Sequence, residues 1–266
     1  MLSVSALYVY PIKSCRAIDL KAVRFDAGGP TYDRRFMVVD ENGRFLTQRE
    51  LPRFALIEAK LGPMSIGVSA PGMPALKVAM TQRDPKRIPV QIWEDRGEAE
   101  DTGENAASWF SQFLQRECRL VRVPEDGLRP VDPRYARAPA EVGFADAYPV
   151  LLTSEASLTD LNGRLAQNVP MSRFRPNIVV RGGDAYAEDS WKQIRIGELV
   201  LDVVKPCSRC VTINVDQLNA QQSKEPLATL ATYRTRDNKV YFGQNCVHLG
   251  YGSIRVGDSV EVLETA

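Results

Sequence analysis

Residues 199–215 read LVLDVVKPCSRCVTINV, which places a pair of cysteines between two apolar segments. The segments 199–204 and 211–215 are rich in β-branched residues, a composition that favours strands on both sides of the pair. Cys207 and Cys210 are therefore predicted to lie at a strand-to-strand junction. The neighbouring cations Lys205 and Arg209 favour the thiolate form of cysteine, which is the form that binds metals and acts as a nucleophile.

A Cys-x-x-Cys pair has several common interpretations, and the surrounding sequence argues against most of them. A zinc site needs two more ligands at similar spacing, yet the chain has no second pair and a single histidine, His248. A thioredoxin-like pair opens a helix, whereas a strand is predicted here. Covalent haem needs a histidine directly after the pair, where Val211 stands. A thiolate metal ligand and a buried, inert cysteine pair both remain open.

The composition bounds the class of protein. With 34 basic and 33 acidic residues the net charge is +1, which offers no electrostatic basis for binding nucleic acid or an anionic membrane surface. No apolar run reaches the roughly 18 residues of a membrane span. Five unevenly spaced cysteines argue against a secreted disulfide framework and favour a reducing compartment. We therefore expect a cytoplasmic protein with neither nucleic-acid nor membrane partners.

Outward from the cysteine pair, the pattern predicts a mainly β protein with a few helices, an α+β chain. One helix is expected at 105–117, with Trp109 and Phe110 on its buried face, and another after Thr153 or Ser154 as its N-cap. The proline-rich segment 124–149 is too long for a simple turn, so it is either a linker or a site-forming loop. Further short strands are predicted at 4–10, 36–40, 44–47, 65–69, 76–80, 89–94, 150–153, 177–181, 193–196 and 259–263.

Six short motifs resemble a known family. They are YPIKSC at 10–15, YDRRFMV at 32–38, FADAYP at 144–149, FRPNIVV at 174–180, YAEDSW at 186–191 and CSRC at 207–210. The first two resemble the N-terminal β-barrel module that precedes MOSC domains, and the other four resemble the MOSC domain itself. Their order is that of the mitochondrial amidoxime-reducing components. The resemblance implies an N-terminal β-barrel module at 1–122 packed on a β-barrel-like MOSC domain at 123–266, with a cofactor between them.

The resemblance also implies a function and a set of site residues. It implies a molybdenum-cofactor-dependent reductase of N-hydroxylated compounds, such as amidoximes and hydroxylamines. Cys210 corresponds to the cysteine that binds molybdenum and is thereby the catalytic position. The motifs map the cofactor-binding positions onto Lys13, Ser14, Arg34, Asp146, Ala147, Tyr148, Arg175, Asn177 and Arg209. Lysine, serine and arginine are the charge-assisted donors that a phosphate requires.

Two departures and two alternatives qualify this interpretation. Ala147 and Tyr148 stand where the mitochondrial enzymes carry small hydroxyl residues, so the substrate pocket is expected to differ. Some bacterial relatives carry a ferredoxin domain after the MOSC domain, whereas this sequence has no four-cysteine cluster for an iron–sulfur centre. It also has no G-x-G-x-x-G fingerprint, so electrons are expected from a separate donor protein. The alternatives are a sulfur carrier with a persulfide on Cys210, and a cofactor-free binding protein that keeps only the fold.

Overall fold

The computed structural model describes residues 1–137 and 139–266, and it confirms a mainly β chain with few helices. The α-helices are α1 (Glu104–Leu114), α2 (Glu155–Asn162) and α3 (Leu227–Ala231), and the 3-10 helices are η1 (Pro52–Leu56), η2 (Met171–Phe174), η3 (Ala187–Ser190) and η4 (Val211–Asn214). The strands are β1 (Ser3–Val9), β2 (Ile18–Leu20), β3 (Ala22–Asp26), β4 (Gly29–Pro30), β5 (Phe36–Val39), β6 (Glu58–Leu61), β7 (Ser65–Ser69), β8 (Leu76–Ala79), β9 (Arg87–Ile92), β10 (Asp95–Asp101), β11 (Arg119–Arg122), β12 (Arg129–Pro130), β13 (Glu141–Val142), β14 (Val150–Ser154), β15 (Ile178–Arg181), β16 (Trp191–Ile196), β17 (Leu199–Arg209), β18 (Thr235–Arg236), β19 (Lys239–His248), β20 (Gly252–Arg255) and β21 (Val260–Thr265).

A curled sheet forms the larger barrel, in the order β2-β1-β15-β14-β19-β17-β16-β21. The curl closes where Ser3, at the start of β1, bridges Ser259 beside β21, and the backbone N–H of Val4 donates to the carbonyl of Asp258 at 2.9 Å. Apolar side chains from these strands fill the interior. Burial of this shared face stabilises the closed sheet, and closure removes its exposed edges.

The first module is built from two smaller sheets, β5-β11-β10-β9 and β6-β7-β8, with α1 packed against them. The predicted helical face is confirmed, because Trp109, Phe110 and Phe113 are all buried in this core. The helix ends earlier than predicted because Gln115 adopts the left-handed conformation at φ 54°, where its N–H caps the carbonyl of Ser111.

Sheet pairing links the beginning of the chain to its second half. Strand β1 pairs with β15 in the larger sheet, whereas β3 lies between β20 and β4 in a separate three-stranded sheet, so the first 30 residues pair with strands of the second half before the chain enters the first module. The boundary predicted between residues 122 and 123 stays a prediction. No helix among the described residues is long and apolar enough to cross a bilayer.

The predicted strand at 211–215 is wrong. Residues Val211–Asn214 form the 3-10 helix η4, in which the N–H of Ile213 donates to the carbonyl of Cys210 at 3.2 Å. Ile213 is buried against Phe174 and Phe242, and this packing overrides the β preference of the branched residues. Cys207 therefore lies within β17, and Cys210 lies at a strand-to-turn junction.

The helix predicted after residues 153–154 is confirmed, and the described part of the proline-rich segment includes two short strands. Ser154 is the N-cap of α2, because its hydroxyl accepts a hydrogen bond from the N–H of Ala156 at 3.1 Å. The segment 124–149 contains the short antiparallel pair β12–β13 and returns to the first module. Its end contacts the first part of the chain, where Asp146 pairs with Lys13 and the N–H of Phe144 donates to the carbonyl of Arg34, and its role as a site-forming loop stays a prediction.

Candidate cofactor site

Cys210 presents an exposed thiol at the start of η4. Partial desolvation by the surrounding protein raises the pKa of this thiol, but hydrogen bonding to Thr212 and the charges of Arg209 and Arg49 lower it by more, so that the net shift is downward. The Sγ atom lies 3.3 Å from the Thr212 hydroxyl. These groups stabilise the thiolate, which is the metal-binding form.

The side chain of Arg209 runs back from Cys210 along β17. One terminal nitrogen donates to Sγ of Cys207 at 2.9 Å, and the other donates to the carbonyl of Phe174 at 2.7 Å. Its Nε atom is buried without a hydrogen-bond partner among the described residues. Cys207 is half-buried beneath this guanidinium, so the two cysteines occupy different environments.

Arg34 and Arg175 both stack on the ring of Tyr10, at 4.1 and 4.3 Å from the ring centroid. Arg34 is paired with the buried carboxylate of Asp33, whereas Arg175 donates to the carbonyl of Cys15 at 2.8 Å. Burial, together with the nearby charge of Arg34, lowers the pKa of Arg175 to about 10. The two positively charged guanidinium groups therefore contact the same buried ring, and a bound anion would reduce the repulsion between them.

Asn177 holds the side chain of Arg34 through a hydrogen bond. Its side-chain oxygen accepts hydrogen bonds from Arg34 at 3.2 Å and from the N–H of Leu151 at 3.1 Å, while its amide nitrogen donates to the carbonyl of Tyr8 at 3.2 Å. The residue is 2% exposed. In this structure the amide positions a guanidinium and joins three strands.

Lys13 and Asp146 form an ion pair that joins the first module to the proline-rich loop. The lysine is buried and also donates to the carbonyl of Phe144 at 2.8 Å. The loop approaches closely because Gly143 has no side chain, and a Cβ there would lie 3.0 Å from the carbonyl oxygen of Arg34. Burial raises the pKa of Asp146, but Lys13 and the charges of Arg49 and Arg34 outweigh it and hold that pKa at about 2.

Three predicted site residues have left-handed backbones that only glycine adopts easily. They are Ser14 at φ 68°, Arg34 at φ 44° and Arg175 at φ 58°. Each such residue costs on the order of 1 kcal/mol and persists where the surroundings require it. Ser14 is further held by its carbonyl, which accepts a hydrogen bond from Gln48 at 2.6 Å.

Ala147 and Tyr148 follow Asp146 at the outer side of the loop. Ala147 is exposed, and the ring of Tyr148 lies edge-on to Tyr135 at 6.3 Å. Burial, with smaller effects from Tyr135 and Asp132, raises the pKa of Tyr148 to about 12. The phenol therefore stays protonated near neutral pH.

The sequence interpretation missed Arg49 and the buried amide pair Gln48–Gln217. The two glutamine side chains exchange hydrogen bonds at 3.0 and 3.1 Å, which joins the first module to the segment after η4. Residues 169 positions apart leave no local sequence signal of this contact. Arg49 lies close enough to Asp146 and Cys210 for its charge to lower the pKa of both.

Family models and curated relatives match the chain across both modules. The model of the MOSC N-terminal beta barrel domain matches residues 1–117, and that of the MOSC domain matches residues 139–261. Mitochondrial amidoxime-reducing component 1 is 38% identical in Mus musculus, over 98% of this chain and 82% of that protein. The corresponding protein of Homo sapiens is 36% identical over 98% of this chain and 83% of that protein. A molybdenum cofactor sulfurase of Oryza sativa subsp. japonica is 33% identical over 96% of this chain and 33% of that protein.

The fold and the matched models define a two-module MOSC protein. The chain belongs to the MOSC family, in the group that contains the mitochondrial amidoxime-reducing components. This membership, together with the similarity to a cofactor sulfurase, links its function to the molybdenum cofactor.

The residues of the site fit an anionic cofactor with a sulfur-seeking metal. The described contacts bring together five cations and two carboxylates, Asp33 and Asp146; the cations are Lys13, Arg34, Arg49, Arg175 and Arg209. The buried, unpartnered Nε of Arg209 is an unused donor. Phosphate would satisfy such donors, and a thiolate suits molybdenum.

The ion pair of Lys13 and Asp146 gives a pH-dependent prediction. The folded-state pKa of Asp146, about 2, lies below its ordinary value of 3.8, so its contribution to stability is present above pH 3.8 and is lost as the pH falls through about 2. Asp146→Asn should therefore melt at a lower temperature than the unmodified protein at pH 7, and the difference should shrink below pH 4. Asp19→Asn, at an exposed carboxylate, is the matched control. A melting difference as large at pH 2 as at pH 7 would contradict the assignment.

Proposed function

We propose that this protein is a molybdenum-cofactor-dependent reductase that removes oxygen from N-hydroxylated compounds such as amidoximes and hydroxylamines. The observation that carries the proposal is the exposed Cys210, whose pKa is lowered by Thr212 and by the charges of Arg209 and Arg49, near the cluster of five cations. The similarity to proteins named amidoxime-reducing components supports the substrate class. We further propose a cytoplasmic location, as the cysteine content suggests.

The bound cofactor would supply two-electron redox chemistry, and the chain's own residues would hold and orient it. Arg34, Arg175 and Lys13 would bind its anionic groups, Arg209 would neutralise charge near the metal, and Cys210 would ligate molybdenum. The reaction balances as amidoxime plus two electrons and two protons giving amidine and water. The carboxylate of Asp146 is ionised at neutral pH, so it would accept a hydrogen bond from the substrate hydroxyl rather than supply a proton.

A second candidate is a sulfur carrier with a persulfide on Cys210. The exposure of the thiol and the 33% identity to a molybdenum cofactor sulfurase favour it. The two candidates differ in metal content, because a carrier would hold no stoichiometric molybdenum.

An activity assay tests the reductase proposal and the expected need for a separate electron donor. Protein from a host that makes molybdopterin should reduce benzamidoxime with reduced viologen, should be inert with NADH alone, and should regain turnover when a reductase system is added. Sustained NADH-driven turnover by the homogeneous chain would contradict the separate donor. Absence of viologen-driven turnover in molybdenum-loaded protein would contradict the reductase.

A further inference from the structure

Arg49 contacts the rings of two aromatic residues, Trp93 and Phe45. Its guanidinium carbon lies 4.6 Å from the ring centroid of Trp93 and 5.7 Å from that of Phe45. The Phe45 ring also has Nζ of Lys13 at 5.2 Å. Lys13 has a carboxylate partner in Asp146, whereas among the described residues no carboxylate lies within 4.0 Å of the Arg49 guanidinium. Two cations, Lys13 and Arg49, therefore lie near the Phe45 ring, and of these only Lys13 has a carboxylate partner among the described residues. An anion bound to Arg49 would reduce the repulsion between the two positive charges.

Trp93 occupies an unusual position for a tryptophan. It is the first residue of the two-residue turn between β9 and β10, its φ is 56°, and its side chain is 48% exposed. Glycine is the residue that such a turn favours, and a bulky side chain there is strained. Its ring meets Phe45 edge-on at 5.2 Å and covers Arg49. Little burial offsets this strain, and strain of this kind clusters at ligand-binding sites.

We propose that Arg49, held by Trp93 and Phe45, is an oxyanion-binding residue beside Lys13 at the edge of the candidate cofactor site. The rings of Trp93 and Phe45 offer the guanidinium no conventional hydrogen-bond acceptor, so its N–H donors remain available for a bidentate acceptor such as a phosphate or carboxylate. Arg49 shares the Phe45 ring with Lys13, whose ammonium pairs with Asp146, so the bound oxyanion would lie beside the Lys13–Asp146 ion pair.

Two sources could supply this oxyanion: the cofactor itself, or an anionic substituent of the substrate. Both would engage the same N–H edge, so the geometry defines the shared chemistry. Assignment to either source rests on the proposed function, whereas the existence of an oxyanion site does not.

Sulfate titration of the full-length chain tests the site without any assay of activity. Trp93 is the exposed tryptophan, since Trp109 and Trp191 are each 5% exposed, so its fluorescence should report binding. At constant ionic strength, sulfate but not chloride should give a saturating change. Arg49→Gln should weaken sulfate binding about tenfold or more, and Arg49→Lys should weaken it less. Arg96→Gln, at an exposed arginine of β10, should bind as the unmodified protein does. Equal responses in all variants, or no saturation, would overturn the proposal.

Trp93→Gly separates the role of the ring from that of the turn. Glycine suits φ 56°, so this variant should unfold at the same temperature as the unmodified protein or higher, yet calorimetry should show weaker sulfate binding. Unchanged sulfate affinity in Trp93→Gly would contradict the proposal that the Trp93 ring holds Arg49 in position for binding.

Molybdenum content and substrate kinetics then identify the source of the oxyanion. A loss of molybdenum from Arg49→Gln assigns the oxyanion to the cofactor. Full molybdenum content, with KM raised for carboxylate-bearing N-hydroxy substrates and unchanged for neutral ones, assigns it to the substrate. Full molybdenum content with unchanged KM for both would overturn a role in this site. An inactive unmodified protein would count against the proposed function, while the sulfate result would still stand.

Discussion

Cys210→Ala is expected to abolish reductase activity and to change the sulfur coordination of molybdenum measured by X-ray absorption. The thiol at position 210 is exposed and has its pKa lowered by Thr212, Arg209 and Arg49, and the substitution would remove the proposed thiolate ligand. Loss of a metal ligand is among the mutations with the largest effects on function.

Cys207→Ser is the matched control for this prediction. The serine hydroxyl keeps an acceptor for Arg209, which donates to Cys207 at 2.9 Å. This variant should therefore retain molybdenum, its sulfur coordination and most of the activity. The reverse pattern, with Cys207 essential and Cys210 dispensable, would contradict the assignment of the ligand.

Substitution of the two arginines on Tyr10 is expected to lower molybdenum content, with different consequences for stability. Arg34→Gln leaves the buried carboxylate of Asp33 without its cation, which costs about 3–5 kcal/mol of unfolding free energy. Arg175→Gln leaves no carboxylate unpaired and relieves the like-charge contact, so its cofactor-free form should lose less stability. Both variants should bind the cofactor more weakly, because each loses a charged hydrogen bond worth ~1.5–3 kcal/mol.

Elemental analysis and chemical unfolding of the cofactor-free proteins separate the two effects. Arg53→Gln is the control, since Arg53 also contacts an aromatic ring, that of Phe113 in α1, but is exposed on the first module and, among the described contacts, touches none of the candidate site residues. If both Arg34→Gln and Arg175→Gln contain as much molybdenum as the unmodified protein, the two arginines have only a structural role.

The fold class could be predicted because its signals are local. Alternating apolar residues mark β7 and β8, the spacing of Trp109 and Phe110 marks α1, and the hydroxyl of Ser154 marks the start of α2. Each of these signals lies within a few residues of the element it specifies.

The errors came from contacts between distant residues. The segment 211–215 has the branched residues of a strand, but burial of Ile213 beside Phe174 and Phe242 folds it into η4. Strand β10, with the sequence DRGEAED, has no apolar alternation and is held by pairing with β9. Its hydrogen bonds depend on the partner strand, so its own sequence did not reveal it.

The candidate site was predicted as a set of residues, and its geometry was not. Motif resemblance indicated Lys13, Arg34 and Arg175, but the stacking of both arginines on Tyr10 depends on three separate segments meeting in space. Arg49 had no motif to mark it. Its proximity to the cleft depends on Trp93, 44 positions later in the chain and in a turn of strained geometry.

The molybdenum content of the purified protein tests the central claim most directly. The claim is that Cys210 and the surrounding cations bind one molybdenum cofactor between the two modules. Protein from a host that makes molybdopterin should contain close to one molybdenum atom per chain. The double variant that combines Cys210→Ala and Arg175→Gln should contain far less. Absence of molybdenum from the unmodified chain, in cells whose own molybdenum enzymes are loaded, would contradict the claim.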